Sequence, residues 1–141
     1  MMSYDMVGPA LALGISSFGS AVGCSIAGTA CHAVMARVEE GHGKFIGMSA
    51  APSSQSIYGF ILMLLMRNAI QAGTLSPLSG IGIGVGAGFA MFASSVFQGK
   101  TCATGIQASA RQPSVYGKCW ASIGIIESFA LFAFVFALLL M

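Results

Sequence analysis

The sequence predicts an all-α membrane protein whose four transmembrane helices form two tandem helical hairpins. Three observations carry this. Of 141 residues, 56% are hydrophobic and only 7% charged, where an ordinary soluble domain carries about a quarter charged residues. The uncharged residues fall in four long runs, 6–36, 45–66, 68–99 and 119–141, the last broken only by Glu127. Apolar runs of about 18 residues or more read as membrane-spanning helices. The chain also repeats itself: Ala36-Arg37 followed by Gly43-Lys44 returns 74 residues later as Ala110-Arg111 followed by Gly117-Lys118. The first hairpin is set at residues 1–71 and the second at 72–141, together one integral membrane domain.

Four spans of about 20 residues each leave no room for a soluble domain among these residues. A soluble enzyme and a disordered tail are excluded, and six basic residues form no patch for nucleic acid. The first run is expected to be retained rather than cleaved, because its early charge is Asp5, not a basic cluster, and its apolar stretch is too long for a signal peptide. Cysteines 24, 31, 102 and 119 form no CxxC pair, so they are expected as small buried helix residues without disulfide or metal. No resident cofactor is expected.

The first helix carries Gly14, Gly19, Gly23 and Gly28, and the third opens with glycine at 80, 82, 84, 86 and 88. So many glycines would weaken a soluble helix, but in lipid small residues let backbones approach closely. The second helix is bulky, with Phe45, Tyr58, Phe60 and an aliphatic run from Ile61 to Leu65. The fourth carries Trp120, Phe129, Phe132, Phe134 and Phe136. Small inner and large outer helices predict two concentric layers when copies assemble by rotation into a ring. Phe45 and Trp120 are expected in the interfacial belt. Loops 36–44 and 110–118 hold four basic residues against Arg67 on the opposite side. The positive-inside rule therefore sets both loops in the cytoplasm and both termini outside.

Glu127 is the chemical outlier. It lies nine residues past Lys118, about 13 Å along a helix and well inside the hydrocarbon, where a carboxylate marks an ion pathway or proton relay by default. Gln55, eleven residues past Lys44, and Gln98, thirteen before Arg111, fall at a similar depth. Pro52 cannot donate to the Met48 carbonyl, which frees carbonyls just ahead of Ser54 and Gln55, and irregular backbone at membrane depth needs protein or a cavity to satisfy it. Lys100 lies about 200° around the helix from Gln98 and is expected to face away from Glu127.

The stretch Pro52-Ser53-Ser54-Gln55-Ser56-Ile57-Tyr58-Gly59-Phe60, with Gln98-Gly99-Lys100, Gly105-Ile106-Gln107 and Ile126-Glu127-Ser128, resembles the proteolipid family of V-type ATPases and ATP synthases, in its bacterial subunit K form. The resemblance covers nearly the whole chain. It implies a non-catalytic rotor-ring subunit with one essential carboxylate, Glu127. It also implies an ion site made by Glu127, Gln55, Gln98, the Ser54 hydroxyl and the Ala51 carbonyl, with Tyr58 hydrogen-bonded to the carboxylate. Ser54 stands where sodium-carrying members have threonine, and Ser53 where glycine is usual.

The implied partners are further copies in a homo-oligomeric ring, a stator membrane subunit with two half-channels, a central-stalk subunit on the cytoplasmic side, and lipid. The implied location is the bacterial cell membrane. The transported ion is Na+ or H+. Five oxygen donors suit a hard cation, while a proton needs only Glu127 and one partner. A rival reading is a small four-helix secondary transporter of cations, with Phe129 and Tyr58 beside its carboxylate. A purely structural four-span protein leaves Glu127 without a role.

Overall fold

The computed structural model describes residues 4–141. Five α-helices make four spans: α1 (Val7–Met35), α2 (His42–Ala50), α3 (Ser54–Gln71), α4 (Pro77–Arg111) and α5 (Tyr116–Leu139). Among the described residues there are no strands. The second span is the interrupted one: α2 and α3 are joined by a 3-10 turn, Ala51–Ser53, built around Pro52. A second 3-10 turn, Pro113–Val115, opens α5. The spans lining up as α1, then α2 with α3, then α4, then α5 give the tandem hairpins read from the repeat. By length and composition α1, α4 and the 113–139 segment each suffice to cross a membrane. The second span needs both of its pieces.

The helix ends follow local chemistry. α3 stops in a Schellman arrangement: Gly73 at φ +79°, Gly73 N–H to the Ile70 carbonyl (3.1 Å) and Thr74 N–H to the Ala69 carbonyl (3.0 Å), which satisfies carbonyls the helix leaves open. α4 starts on a Ser76-Pro77 pair in which the Ser76 hydroxyl accepts from the Ser79 N–H and proline takes a position whose N–H would be unpaired in any case. At 35 residues, α4 is about 52 Å long, far more than the hydrocarbon needs. It carries Lys100 inside its length, where the uncharged run had ended.

α1 and α4 run parallel in direct backbone contact. A Cβ added at Gly8 would run into the Gly80 backbone, at Gly84 into Gly8, at Gly19 into Phe92, and at Gly99 into Gly23. The small-residue spacing therefore serves close approach, as expected, through Gly8, Gly19, Gly23, Gly84 and Gly99. Gly14 and Gly28 have open space instead. Bulky side chains of the second and fourth spans point outward: Phe60, Ile61, Leu65, Phe129, Phe132 and Phe136 are exposed.

Two apolar clusters form the core. One, toward the termini, gathers Ala12, Leu62, Met66, Met91, Ala130 and Ala137. The other, toward the two short loops, gathers Ala27, Val34, Phe45, Met48, Ile106 and Ile123. Lys44 lies over the Tyr116 ring at 5.8 Å, so both loops meet at one end of the bundle. Phe45 corrects an expectation. It is buried in the loop-end cluster rather than standing in an interfacial belt, because the α2 segment tucks against α1 and α4. Trp120 packs beside that cluster at its edge.

Gly23 sits where three elements touch: a Cβ there would strike the Ser95 carbonyl and the Pro52 ring. Overpacking of this kind costs about 1–3 kcal/mol. Gly23→Ala should therefore lower the thermal unfolding midpoint in mild detergent, whereas Gly28→Ala should leave the isolated protomer as stable as the wild type. Equal midpoints for Gly23→Ala and the wild type would refute the packing described.

Candidate ion-binding site

Between the two apolar clusters lies a slab of polar side chains. Glu127 stands in the middle of α5, half-buried. Its Oε1 accepts from the Tyr58 hydroxyl of α3 at 2.7 Å, and its Oε2 accepts from Gln98 Nε2 of α4 at 3.3 Å. Gln98, with no exposed surface, also donates to the Ile123 carbonyl at 3.2 Å. Its Oε1 accepts from Gln55 Nε2 at 3.0 Å. Gln55, equally buried, receives the Ser54 hydroxyl on its Oε1 at 3.3 Å. That same hydroxyl lies 3.2 Å from the Ala51 carbonyl.

The six residues singled out in the sequence thus stand in one connected network, running from Tyr58 and Glu127 through Gln98, Gln55 and Ser54 to Ala51. Lys100 is not in it. It is exposed, with its ammonium 5.4 Å from the Phe97 ring centre. Among the described residues no basic side chain pairs with Glu127.

The direction of every bond in the chain is fixed by groups that can only accept. The Ile123 carbonyl and the Glu127 carboxylate take the two N–H bonds of Gln98, so the Gln98 oxygen must face Gln55. The Ser94 hydroxyl gives its proton to the Ile126 carbonyl at 2.8 Å, so toward Gln55 Nε2, at 3.4 Å, it can only accept. The Gln55 oxygen is thereby turned to the Ser54 and Ala51 side. There one hydroxyl proton is divided between two oxygens at distances longer than the usual O–H···O separation of about 2.7–2.8 Å. The result is an electron-rich group of oxygens beside a carboxylate with no countercharge, an arrangement suited to a small hard cation.

Ser94 was missed by the sequence reading, as were the Ile123 and Ile126 carbonyls. The signal for Ser94 is its position four residues before Gln98, which puts both on one helical face. The carbonyls carry no sequence signal, because any residue supplies one.

Comparison with known proteins covers almost the whole chain. The family model for the C-subunit of ATP synthase matches twice, over residues 7–66 and 81–140. The A-type ATP synthase subunit K of Methanocaldococcus jannaschii is 32% identical over 135 residues, which are 96% of this chain and 60% of that protein. This chain therefore spans less than two thirds of that relative. The V-type sodium ATPase subunit K of Enterococcus hirae is 27% identical over 141 residues, 99% of this chain and 90% of that protein.

Tyr58 offers a clean test of the network. Its ring packs against Phe134 with centroids 6.2 Å apart, so Tyr58→Phe keeps the packing and removes only the hydroxyl. A hydrogen bond to a charged group contributes about 1.5–3 kcal/mol. Modification of Glu127 by a hydrophobic carbodiimide should accordingly become about tenfold faster in Tyr58→Phe, while Lys100→Gln should modify at the wild-type rate. Acceleration by the lysine substitution instead would place the carboxylate's partner elsewhere.

Proposed function

The chain belongs to the ATP synthase C-subunit family and is a membrane-embedded proteolipid of several spans; on that premise we propose that it is the ion-carrying rotor-ring subunit of a rotary ATPase or ATP synthase, and that its ion is sodium. The observation that carries the reading is the Glu127 carboxylate, held at membrane depth by two hydrogen bonds without a basic partner among the described residues. An ionised carboxylate in hydrocarbon is costly and cannot cross lipid until a proton or cation neutralises it.

The proposed cycle uses that property. Glu127 takes an ion from one half-channel in a stator subunit. Neutralised, it turns with the ring past lipid, and it releases the ion into a second half-channel. One charge moved through the membrane potential is worth about 2.3 kcal/mol per 100 mV, and rotation couples this to ATP chemistry carried out by other subunits. The chain itself is the carrier and not the catalyst. The half-buried setting of Glu127 fits a carboxylate that must be reached from outside its own protomer.

Support for sodium over a proton comes from the oxygen group. Ala51 O, Ser54 Oγ, Gln55 Oε1 and Gln98 Oε1 stand with Glu127, and the two contacts of the Ser54 hydroxyl, 3.2 and 3.3 Å, are long enough to give way to a cation. A proton would leave most of these donors without a task. The sodium ATPase relative named above agrees with this reading. The basic residues at the loop end support a cytoplasmic position for both loops, in reach of a central-stalk subunit, with the termini outside and the bacterial cell membrane as the location.

Sodium bound at Glu127 should protect it from carbodiimide modification, and protection should weaken as pH falls, because protons compete for the same carboxylate. Gln55→Ala or Gln98→Leu should weaken protection with the ring still assembled, and Glu127→Gln should abolish ion transport with insertion and assembly intact. Labelling that ignores molar sodium at every pH would assign the site to protons. Retained transport in Glu127→Gln would overturn the rotor reading.

Topology is tested separately. A cysteine replacing Gly41 or Ser114 should react with a membrane-impermeant maleimide only in inside-out vesicles. Reaction in intact cells would invert the orientation.

A further inference from the structure

The break in the second span leaves backbone groups that a continuous helix would pair, and two hydroxyls from other helices meet them. α3 begins at Ser54, so the Ser56 N–H lies in its first turn, where no carbonyl of the same helix reaches it. It donates to the Ser20 hydroxyl of α1 at 3.0 Å. The Ala50 carbonyl is met from within the break, by the Ser53 hydroxyl at 2.7 Å. The Pro52 carbonyl is met from α4, by the Ser95 hydroxyl at 2.7 Å. Ser95 has no exposed surface and Ser20 has 4%. Both flank the point where Gly23 lets α1, α4 and Pro52 touch.

We propose that Ser20 and Ser95 are positioning residues for the ion site: together they hold the broken turn so that the Ala51 carbonyl and Ser54 hydroxyl stand beside the Gln55 oxygen, and they thereby set ion affinity. The inference rests on the ion-site reading above and deepens it. Two features separate it from ordinary pairing of buried polar groups. The bonded atoms belong to Pro52, next to Ala51, and to Ser56, two residues past Ser54, so any movement of the turn moves two site oxygens. Ser95 also adjoins Ser94, whose hydroxyl holds the Ile126 carbonyl, one residue before Glu127. The carbonyls of Pro52 and Ile126 are 74 residues apart, the offset of the repeat. Neighbouring serines of α4 thus grip the same level of both outer spans, and the distance from the oxygen-bearing turn to the carboxylate is set through α4.

The test uses the assembled ring in native membranes. The readout is the sodium concentration that half-protects Glu127 from carbodiimide, compared with the corresponding lithium concentration. A hydrogen bond of ordinary strength predicts a rise of about three- to tenfold in the sodium value for Ser20→Ala and for Ser95→Ala, with a changed sodium-to-lithium ratio. Ser109→Ala is the control. That hydroxyl is also buried, but it bonds the Gly105 carbonyl of its own helix at 2.7 Å, away from the break, so its loss should leave the protection curve in place. Curves for Ser20→Ala and Ser95→Ala that superimpose on wild type would overturn the proposal. So would a shift no larger than that of Ser109→Ala, or failure of both variants to assemble, which would assign the serines to folding. Wild-type rings without sodium protection would overturn the sodium reading instead. The pH of half-maximal modification then replaces the sodium value, and the same three variants decide the positioning role.

Discussion

A carboxylate placed in hydrocarbon without a countercharge dictates the arrangement of this molecule. Among the described residues no basic side chain stands beside Glu127, so its charge is met by hydrogen-bond donors from two other helices. The amide donor, Gln98, in turn needs further partners, because a buried amide left half satisfied costs free energy that lipid cannot return. The demand passes from α5 to Gln98 on α4, to Gln55 on α3, and ends on the turn at Ala51. No buried side-chain nitrogen or oxygen among the described residues is without a partner. The polar slab is therefore a closed set of hydrogen bonds, open only at the oxygens where a cation would enter.

Such a network tolerates little displacement. In a bilayer, helix association is driven by packing and hydrogen bonding rather than by exclusion of water, so the scaffold must be close-fitting by shape. The glycine contacts between α1 and α4 supply that fit. They bring backbone against backbone at Gly8 and Gly84 and at Gly23 and Gly99, and they make the pair a rigid post. α4 then presents Ser94, Ser95 and Gln98 to the outer spans from a fixed position. The parallel course of α1 and α4 follows from the repeat, since two hairpins copied in the same direction place their first helices in the same sense.

The sequence disclosed the spans, the repeat and the polar outliers, because each is a departure from an apolar background. A glutamate in a run of phenylalanine and isoleucine cannot be mistaken for a packing residue, and counting 1.5 Å per residue from the charged loops was enough to put Gln55, Gln98 and Glu127 in one slab. Pro52 announced an irregular backbone, but not that it would separate α2 from α3 with a 3-10 turn. Serine carries no such contrast. Ser16 and Ser109 bond their own helices, while Ser20, Ser94 and Ser95 bond across helices, and apart from the place of Ser94 four residues before Gln98 nothing local to the chain separates the two groups. Ser20 and Ser95 meet backbone groups that the break leaves open, while Ser94 reaches a carbonyl in the middle of α5; which group stands within reach is a property of the assembled bundle. Phe45 was misplaced for a related reason. Its position near a charged loop suggested an interface, yet the α2 segment turns that face inward.

Duplication explains why the site needs both hairpins and why they differ. The second hairpin holds the charge, with Gln98 and the Ile123 and Ile126 carbonyls around it. The first holds the other oxygens, on the broken turn at Ala51–Ser53. Separating the two functions lets the oxygen-rich turn and the anionic helix be packed independently, each against α4. It also makes the proposed site a shared one: α5 alone would offer a carboxylate lacking Tyr58, and α3 alone a set of neutral oxygens with no charge to balance an ion. On the proposed reading, a cation between them would be neutralised by one hairpin and dehydrated by the other, with α4 in contact with both.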